Sequence, residues 1–218
     1  MNLRLLPNML LPVHCIFCGV RCESHEVFIC DGCVADLPWQ DELSNTDVAP
    51  LSTVAALFAY AFPLDVALKS LKFRRRLDYV PGLGELLWQA MRELPADIDA
   101  LLPMPLHWRR QAMRGFNQAH ELARILRRKT ALPIVRSVRR ARPTAFQSGL
   151  DEPARRRNLR SAFVAVSPVV ANHVLIVDDV ITTGESCKEL AKVVLEAGAG
   201  KVSALAVARV GGQANATG

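Results

Sequence analysis

The sequence predicts an α/β fold, in which a mainly parallel sheet is flanked by helices and a small cysteine-rich module precedes it. Short runs of consecutive apolar residues, which suit strands buried on both faces, alternate along the chain with amphipathic helical segments. Five of the six cysteines lie outside this alternation, between positions 15 and 33. The 218 residues suffice for one medium-sized domain plus such a module, and half of them are hydrophobic.

The N-terminal module, residues 1–40, is defined by two Cys-x-x-Cys pairs. Cys15 and Cys18 form the first pair, Cys30 and Cys33 form the second, and eleven residues separate the pairs. Each pair can offer two thiolates from one tight turn, so the two pairs together predict a tetrahedral structural zinc site. Buried or redox-active thiols are the alternative, although a redox pair is expected beside a βαβ pattern.

The first thirteen residues are apolar but contain Pro7 and Pro12. No apolar stretch of the chain approaches the roughly 20 residues that span a bilayer. A lipoprotein signal is an alternative, but the residues before Cys15 are not the small ones of a cleavage site. The sequence therefore predicts a cytoplasmic protein without a membrane span.

Residues 41–52 are polar and predict a linker, and residues 53–210 form the predicted main domain. Its strands are short apolar runs, and its helices place apolar residues three or four positions apart. The predicted strands are 53–62, 98–102, 133–137, 162–166, 174–177 and 201–208, and the predicted helices are 64–73, 79–94, 116–129 and 185–197. Pro81 suits the first turn of the second helix, and Gly198 ends the last one. The small polar tail, residues 211–218, is expected to be disordered.

Positive charge is concentrated in one stretch of the chain. Residues 109–160 hold 15 Lys and Arg against 3 Asp and Glu, whereas the remaining residues hold 12 against 18. Such a concentration is typical of a polyanion partner, which includes both diphosphates and nucleic acids. Within it, residues 138–160 lack a continuous apolar face. They predict either a mobile Arg-rich lid over an anionic ligand or a disordered basic loop.

The run VLIVDDVITTGES, residues 174–186, predicts a ligand site. Asp178 and Asp179 follow a buried strand, at the sheet edge where open α/β folds bind ligands. The turn 182–184 can direct backbone N–H groups toward a phosphate at the positive start of the following helix. The two carboxylates can accept hydrogen bonds from ribose hydroxyls or hold magnesium through water. The alternatives are an acidic pair that merely ends a strand at solvent, and a receiver-type acidic pocket, which would need acids from several strands.

This run resembles the phosphoribosyl pyrophosphate signature of type I phosphoribosyltransferases. Upstream of it lie the four cysteines, PMPLHWRRQAMRGFNQA and RRARPTAFQSGLDEPARRRNLRSAF, in this order. The whole arrangement, roughly Leu11 to Arg209, resembles the ComF/GntX family of competence-associated phosphoribosyltransferase-like proteins. The resemblance implies a type I phosphoribosyltransferase core behind a zinc-ribbon-like N-terminus, and a link to the uptake or use of external DNA.

The resemblance also implies a phosphoribosyl transfer reaction with loss of pyrophosphate. The residues expected to bind phosphoribosyl pyrophosphate and magnesium are Asp178 and Asp179 at the ribose, Thr182, Thr183, Gly184, Glu185 and Ser186 at the 5′-phosphate, and Pro105 in the pyrophosphate loop 103–107. Arg109, Arg110 and Arg114 are the cations expected to face the diphosphate.

The alternative function is a non-catalytic competence factor that binds single-stranded DNA beside a helicase-like partner. Its candidate contacts are Lys72, Arg74, Arg75, Arg140 and Arg156. The acidic pair favours the enzyme, because two carboxylates in a DNA groove would repel the phosphate backbone.

Overall fold

The computed structural model describes residues 13–22, 28–40, 49–141 and 162–211, and the backbone of residues 44–45. Most of the Arg-rich loop, including Arg156, and the tail from residue 212 lie outside the described residues. The helices are α1 (Asp31–Ala35), α2 (Leu64–Arg74), α3 (Tyr79–Met91), α4 (Trp108–Arg114), α5 (Gln118–Thr130) and α6 (Glu185–Glu196). The strands are β1 (Ser44–Asn45), β2 (Thr53–Ala59), β3 (Ala100–Pro103), β4 (Val138–Arg140), β5 (Phe163–Ala165), β6 (His173–Ile181) and β7 (Lys201–Arg209).

The main sheet has the order β1-β2-β7-β6-β3. Strands β2, β7, β6 and β3 run parallel, and β1 pairs antiparallel with β2 at the edge. The predicted fold class, a mainly parallel sheet flanked by helices, is confirmed. Because these four parallel strands share one direction, their carboxyl ends lie along a single edge of the sheet, and the acidic pair lies near that edge.

Successive side chains of each strand point to opposite faces of the sheet, and the core is therefore divided into two layers. Leu175 and Val177 of β6 face the layer that contains α2, α3 and α5. Val174 and Ile176 face the opposite layer, which contains α6 and the small hairpin of β4 and β5. Burial on both faces explains why these strands are continuous apolar runs.

Several elements differ from the sequence prediction. The strand predicted at residues 174–177 extends as β6 from His173 to Ile181, so the acidic pair lies within the strand, and α1 and β1 form where no element was predicted. The predicted strand 133–137 is reduced to a bridge between Ile134 and Leu101, and the strand β4 forms instead at the next residues, where it pairs antiparallel with β5. Helix α4 was not predicted, because it buries none of its residues and so has no apolar face. Its ends are fixed by His107, whose Nδ1 accepts the Arg109 N–H at 3.3 Å, and by Gly115 at a φ of +84°.

The cysteine module packs directly onto the main domain. Cys15, Ile29 and Leu37 belong to the same apolar cluster as α2, α3 and α5. Gly82 of α3 makes the contact possible, since a Cβ there would lie 2.8 Å from Ile16 Cδ1. At the end of the module, residues 38–40 run alongside β2 and form backbone hydrogen bonds with it. The division at residue 40 stays a prediction.

A chain of polar contacts, buried at Ser203 and His173 and exposed at Asp97, fixes the amino ends of β6 and β7. His173 Nε2 lies 2.8 Å from Ser203 Oγ, and His173 Nδ1 lies 2.7 Å from Asp97 Oδ1. Hydrogen bonds from Lys201 and His173 lower the pKa of Asp97 to about 2. Ser203 is fully buried, so this Ser–His–Asp arrangement has no access to a substrate and its role is to anchor the strands. It lies at the other end of β6 from the acidic pair.

Among the described helices, none is long and apolar enough to cross a membrane.

Candidate functional site

The acidic pair closes the apolar part of β6. Asp178 is half-buried and Asp179 is 5% exposed. The Asp179 N–H donates to Asp178 Oδ1 at 2.8 Å, so the first carboxylate folds back over its own backbone. Because successive side chains of a strand point to opposite faces, the two carboxylates meet different neighbours.

Asp179 faces the layer of α2. Lys72, in the last turn of that helix, places its Nζ 2.6 Å from Asp179 Oδ2. Burial alone would lower the pKa of Lys72, but the charge of Asp179 and the contact with it raise that pKa overall. Arg114 is also attracted electrostatically to Asp179. The buried carboxylate is therefore compensated by cations that come from two helices.

Asp178 faces the opposite layer. Burial, followed by repulsion from Asp179, raises its pKa well above the usual value, while the Lys72 charge counteracts this in part. Arg140 of β4 is attracted electrostatically to Asp178. Cys187, in the first turn of α6, is fully enclosed behind it, and burial raises the pKa of its thiol. Asp178 is thus the carboxylate of the pair that is open to a ligand.

The predicted phosphate turn joins β6 to α6. Thr182 and Thr183 are exposed, and Gly184 caps the helix with a φ of +77°, a conformation that favours glycine. The first N–H groups of a helix have no partner within it, and the helix dipole makes this end positive. Glu185 and Ser186 lie half-buried in the first turn, where Glu185 pairs with Lys188 at 3.1 Å. An anion can approach the turn from the side of the exposed threonines.

The predicted pyrophosphate loop follows β3, the neighbour of β6. The Met104 N–H donates to Val177 O at 2.8 Å, and Asn117 Nδ2 donates to Met104 O at 3.0 Å. These bonds fasten the loop beside the acidic pair, with Pro105 half-buried within it. Asn117, which stands directly before α5, therefore positions this loop.

The three arginines predicted to face the diphosphate lie on α4. Together with Trp108 and Phe73 they are called the rim of the site below. Arg109 stacks over Trp108 at 5.3 Å, Arg114 stacks over Phe73 at 5.8 Å, and Arg110 is half-buried. Among them, Arg114 is drawn to the acidic pair by the charge of Asp179.

The candidate nucleic-acid contacts are spread over two elements. Lys72 lies within the site, Arg74 and Arg75 are exposed at the end of α2, and Arg140 stacks on Phe163 at 5.3 Å. Arg75 has a φ of +56° and donates to Met113 O at 3.1 Å, which ties α2 to α4. Arg156 lies outside the described residues.

The four predicted zinc ligands come together. The sulfur atoms of Cys15, Cys18, Cys30 and Cys33 all lie within 4.8 Å of one another, and the Cys18 and Cys30 sulfurs are 3.6 Å apart. Four sulfurs at about 2.3 Å from a tetrahedral zinc have similar mutual distances, so the cluster fits this ion. Burial would raise the pKa of the Cys15 thiol, but backbone hydrogen bonds from Cys18, Cys30 and Phe17 lower it to about 6. Burial, together with contacts to the other sulfurs, raises the pKa of Cys33, so Cys15 loses its proton before Cys33 does.

Comparison with known proteins identifies relatives over most of the chain. The DNA utilization protein YhgH of Escherichia coli O157:H7 is 34% identical over 202 residues, which cover 89% of this chain and 83% of that protein. Competence protein F of Haemophilus influenzae is 29% identical over 208 residues, which cover 90% and 84%. No family model matches the chain.

A purine phosphoribosyltransferase from Pyrococcus horikoshii is among the similar solved structures. It has a TM-score of 0.33 and 20% identity, and the match covers 60% of this chain and 82% of that one. The sequence relatives, which match most of the chain, decide the family. The chain belongs to the ComF/GntX family.

Proposed function

We propose that the chain binds phosphoribosyl pyrophosphate with Mg²⁺ at the carboxyl edge of its sheet and transfers the 5-phosphoribosyl group. The observation that carries this proposal is the juxtaposition of an open carboxylate, Asp178, with the positive start of α6. A ribose 5-phosphate matches both features, because its hydroxyls donate to a carboxylate and its phosphate accepts from backbone N–H groups.

In the proposed reaction, the bond from ribose C1 to the diphosphate oxygen breaks, and a bond from C1 to an acceptor forms. Positive charge develops on the sugar ring and negative charge on the departing diphosphate. Asp178 accepts from a ribose hydroxyl and holds the sugar in place, and the turn at Gly184 holds the 5′-phosphate. Arg109, Arg110 and Arg114 lie on the rim, where cations stabilise a diphosphate leaving group.

Magnesium fits this site, since carboxylates and substrate phosphates are the ligands that it prefers. Asp178, through water, is the residue that would hold it, and the ion would supply positive charge to the leaving diphosphate. The names of the relatives, a DNA utilization protein and a competence protein, support a role in the use of external DNA.

Calorimetric titration tests the proposal. Phosphoribosyl pyrophosphate is expected to bind in the presence of Mg²⁺ and to bind at least about tenfold more weakly when Mg²⁺ is left out of the buffer, because the diphosphate then lacks its counter-ion. Ribose 5-phosphate should occupy the same site with lower affinity. Absence of binding by both ligands at millimolar concentration would refute the ribose-phosphate pocket.

Binding of single-stranded DNA is a second candidate function, favoured by aromatic side chains at the rim. Phe73 is 62% exposed and Trp108 is 65% exposed, and each carries a stacked arginine. Exposed rings flanked by cations are the platform on which successive bases stack.

If this platform is used, a labelled oligonucleotide should bind with an affinity that falls steeply with salt, because arginine contacts release counter-ions. Phe73→Ala should weaken the binding by about tenfold through loss of one stacked base. Fluorescence anisotropy measures both effects, and a flat salt response would contradict the candidate.

A further inference from the structure

The last turn of α2 carries Lys72, whose ammonium group pairs with a buried carboxylate of the candidate site. Lys72 reaches across the edge of the sheet to Asp179, with its Nζ 2.6 Å from Oδ2. Both side chains are largely enclosed, with 24% of the lysine and 8% of the aspartate side chain exposed. Lys69, one turn earlier, makes an ion pair of similar length with Asp65, but its own side chain is 56% exposed. The two lysines therefore differ in the burial of their ion pairs.

The carboxylate that Lys72 contacts depends on charge compensation. Only 5% of Asp179 is exposed to solvent. Among the described residues, no donor forms a hydrogen bond of good geometry with its Oδ2 atom. The ammonium of Lys72 also acts electrostatically on Asp178. One lysine thus supplies positive charge to both members of the acidic pair.

A cation in this position competes with a metal ion. Mg²⁺ or Mn²⁺ that approaches the acidic pair meets the Lys72 charge at close range, where like charges repel strongly. A ligand that carries a diphosphate changes this balance, because its oxygens attract both the metal and the ammonium.

We propose that Lys72 is an internal counter-cation that keeps free divalent metal off the acidic pair until a diphosphate-bearing ligand arrives with the metal. The ammonium then exchanges Asp179 for a phosphate oxygen, and the carboxylate pair becomes available to the sugar and to the metal waters. In this scheme Lys72 sets the order in which ligand and metal bind, and it contacts the ligand once the diphosphate has arrived. The inference rests on the proposed ribose-phosphate site.

The test measures Mn²⁺ binding to the zinc-loaded protein at pH 8, with electron paramagnetic resonance as the detection method. Without phosphoribosyl pyrophosphate, the wild-type protein should bind Mn²⁺ weakly, and Lys72→Gln should bind it about tenfold more tightly because a like charge has been removed. Adding Asp179→Asn to Lys72→Gln should abolish the gain. Lys69→Gln is the matched control from the same helix and should bind Mn²⁺ as the wild type does. Lys72→Arg, which keeps the charge, should do the same.

The ligand arm measures the coupling between metal and phosphoribosyl pyrophosphate. In the wild type the ligand should tighten Mn²⁺ binding, and this coupling should shrink in Lys72→Gln. Equal Mn²⁺ affinity of wild type, Lys72→Gln and Lys69→Gln would overturn the inference, even if phosphoribosyl pyrophosphate binds. Conversely, a gain in Lys72→Gln without any ligand binding to the wild type would confirm that Lys72 keeps free metal off the acidic pair, and it would refute both the proposed function and the exchange of Lys72 onto a phosphate.

Discussion

Replacement of Cys33 by serine is expected to destabilise the whole chain, including the domain that carries the acidic pair. A serine leaves the cluster with three thiolates, and structural zinc sites contribute several kcal/mol of folding free energy. The module shares one apolar cluster with α2, α3 and α5 through Cys15, Ile29 and Leu37, so its loss exposes part of the main core. We expect the free energy of unfolding to fall by about 3–5 kcal/mol, or roughly 10 °C in Tm.

Calorimetry together with metal analysis measures this effect. The wild-type protein should contain about one zinc per chain, and Cys33→Ser should contain less. Cys22→Ala is the matched control, because Cys22 is buried in the same module but does not belong to the four-sulfur cluster. If removal of zinc left the melting of the main domain unchanged, the module would be an independent unit and the shared core would be refuted.

Replacement of Asp178 by asparagine is expected to remove most of the affinity for phosphoribosyl pyrophosphate. Asp178 is the open carboxylate, and a hydrogen bond to a charged group contributes about 1.5–3 kcal/mol, which corresponds to roughly 10- to 100-fold in affinity. Asp179→Asn should lower the affinity as well, and it should additionally release Lys72 from its ion pair at 2.6 Å.

The same titration on Asp78→Asn provides the control. Asp78 is an exposed acid that pairs with Arg76 before α3, so its loss changes the net charge as Asp178→Asn does. An Asp178→Asn protein that binds the ligand as tightly as Asp78→Asn would show that the acidic pair does not hold the ribose.

Much of the fold follows from short-range patterns. Strands β2, β6 and β7 are apolar runs buried on both faces, and the helix face of Leu64, Ala67, Leu68 and Leu71 is buried as its spacing indicates. Strand β4 could not be placed in this way, because Val-Arg-Arg is no apolar run and its position is decided by pairing with Phe163 in β5. Helix α4 was not predicted because it has no buried apolar face, and its ends are fixed by the caps at His107 and Gly115.

The site was predictable where its residues adjoin in the sequence. The acids and the turn at Gly184 lie within one short run, residues 178–184, and the spacing of the two Cys-x-x-Cys pairs predicts their cluster. The contact of Lys72 with Asp179 joins residues far apart in the chain, and only the tertiary fold, which places the last turn of α2 at the acidic pair, brings them together. From the sequence alone, Lys72 was assigned to the nucleic-acid contacts, since the run Lys-Phe-Arg-Arg-Arg gives no sign of a buried ion pair.

The central claim is that a ribose-phosphate ligand occupies the space between the acidic pair and α6. A crystal structure of the protein with phosphoribosyl pyrophosphate and Mn²⁺ tests it most directly, because the anomalous signal locates the metal. We expect the 5′-phosphate against the backbone N–H groups around Gly184, the ribose hydroxyls at Asp178, and Mn²⁺ between that carboxylate and the diphosphate. A ligand whose phosphates lie among the arginines of α4, with no sugar near the acidic pair, would contradict the claim.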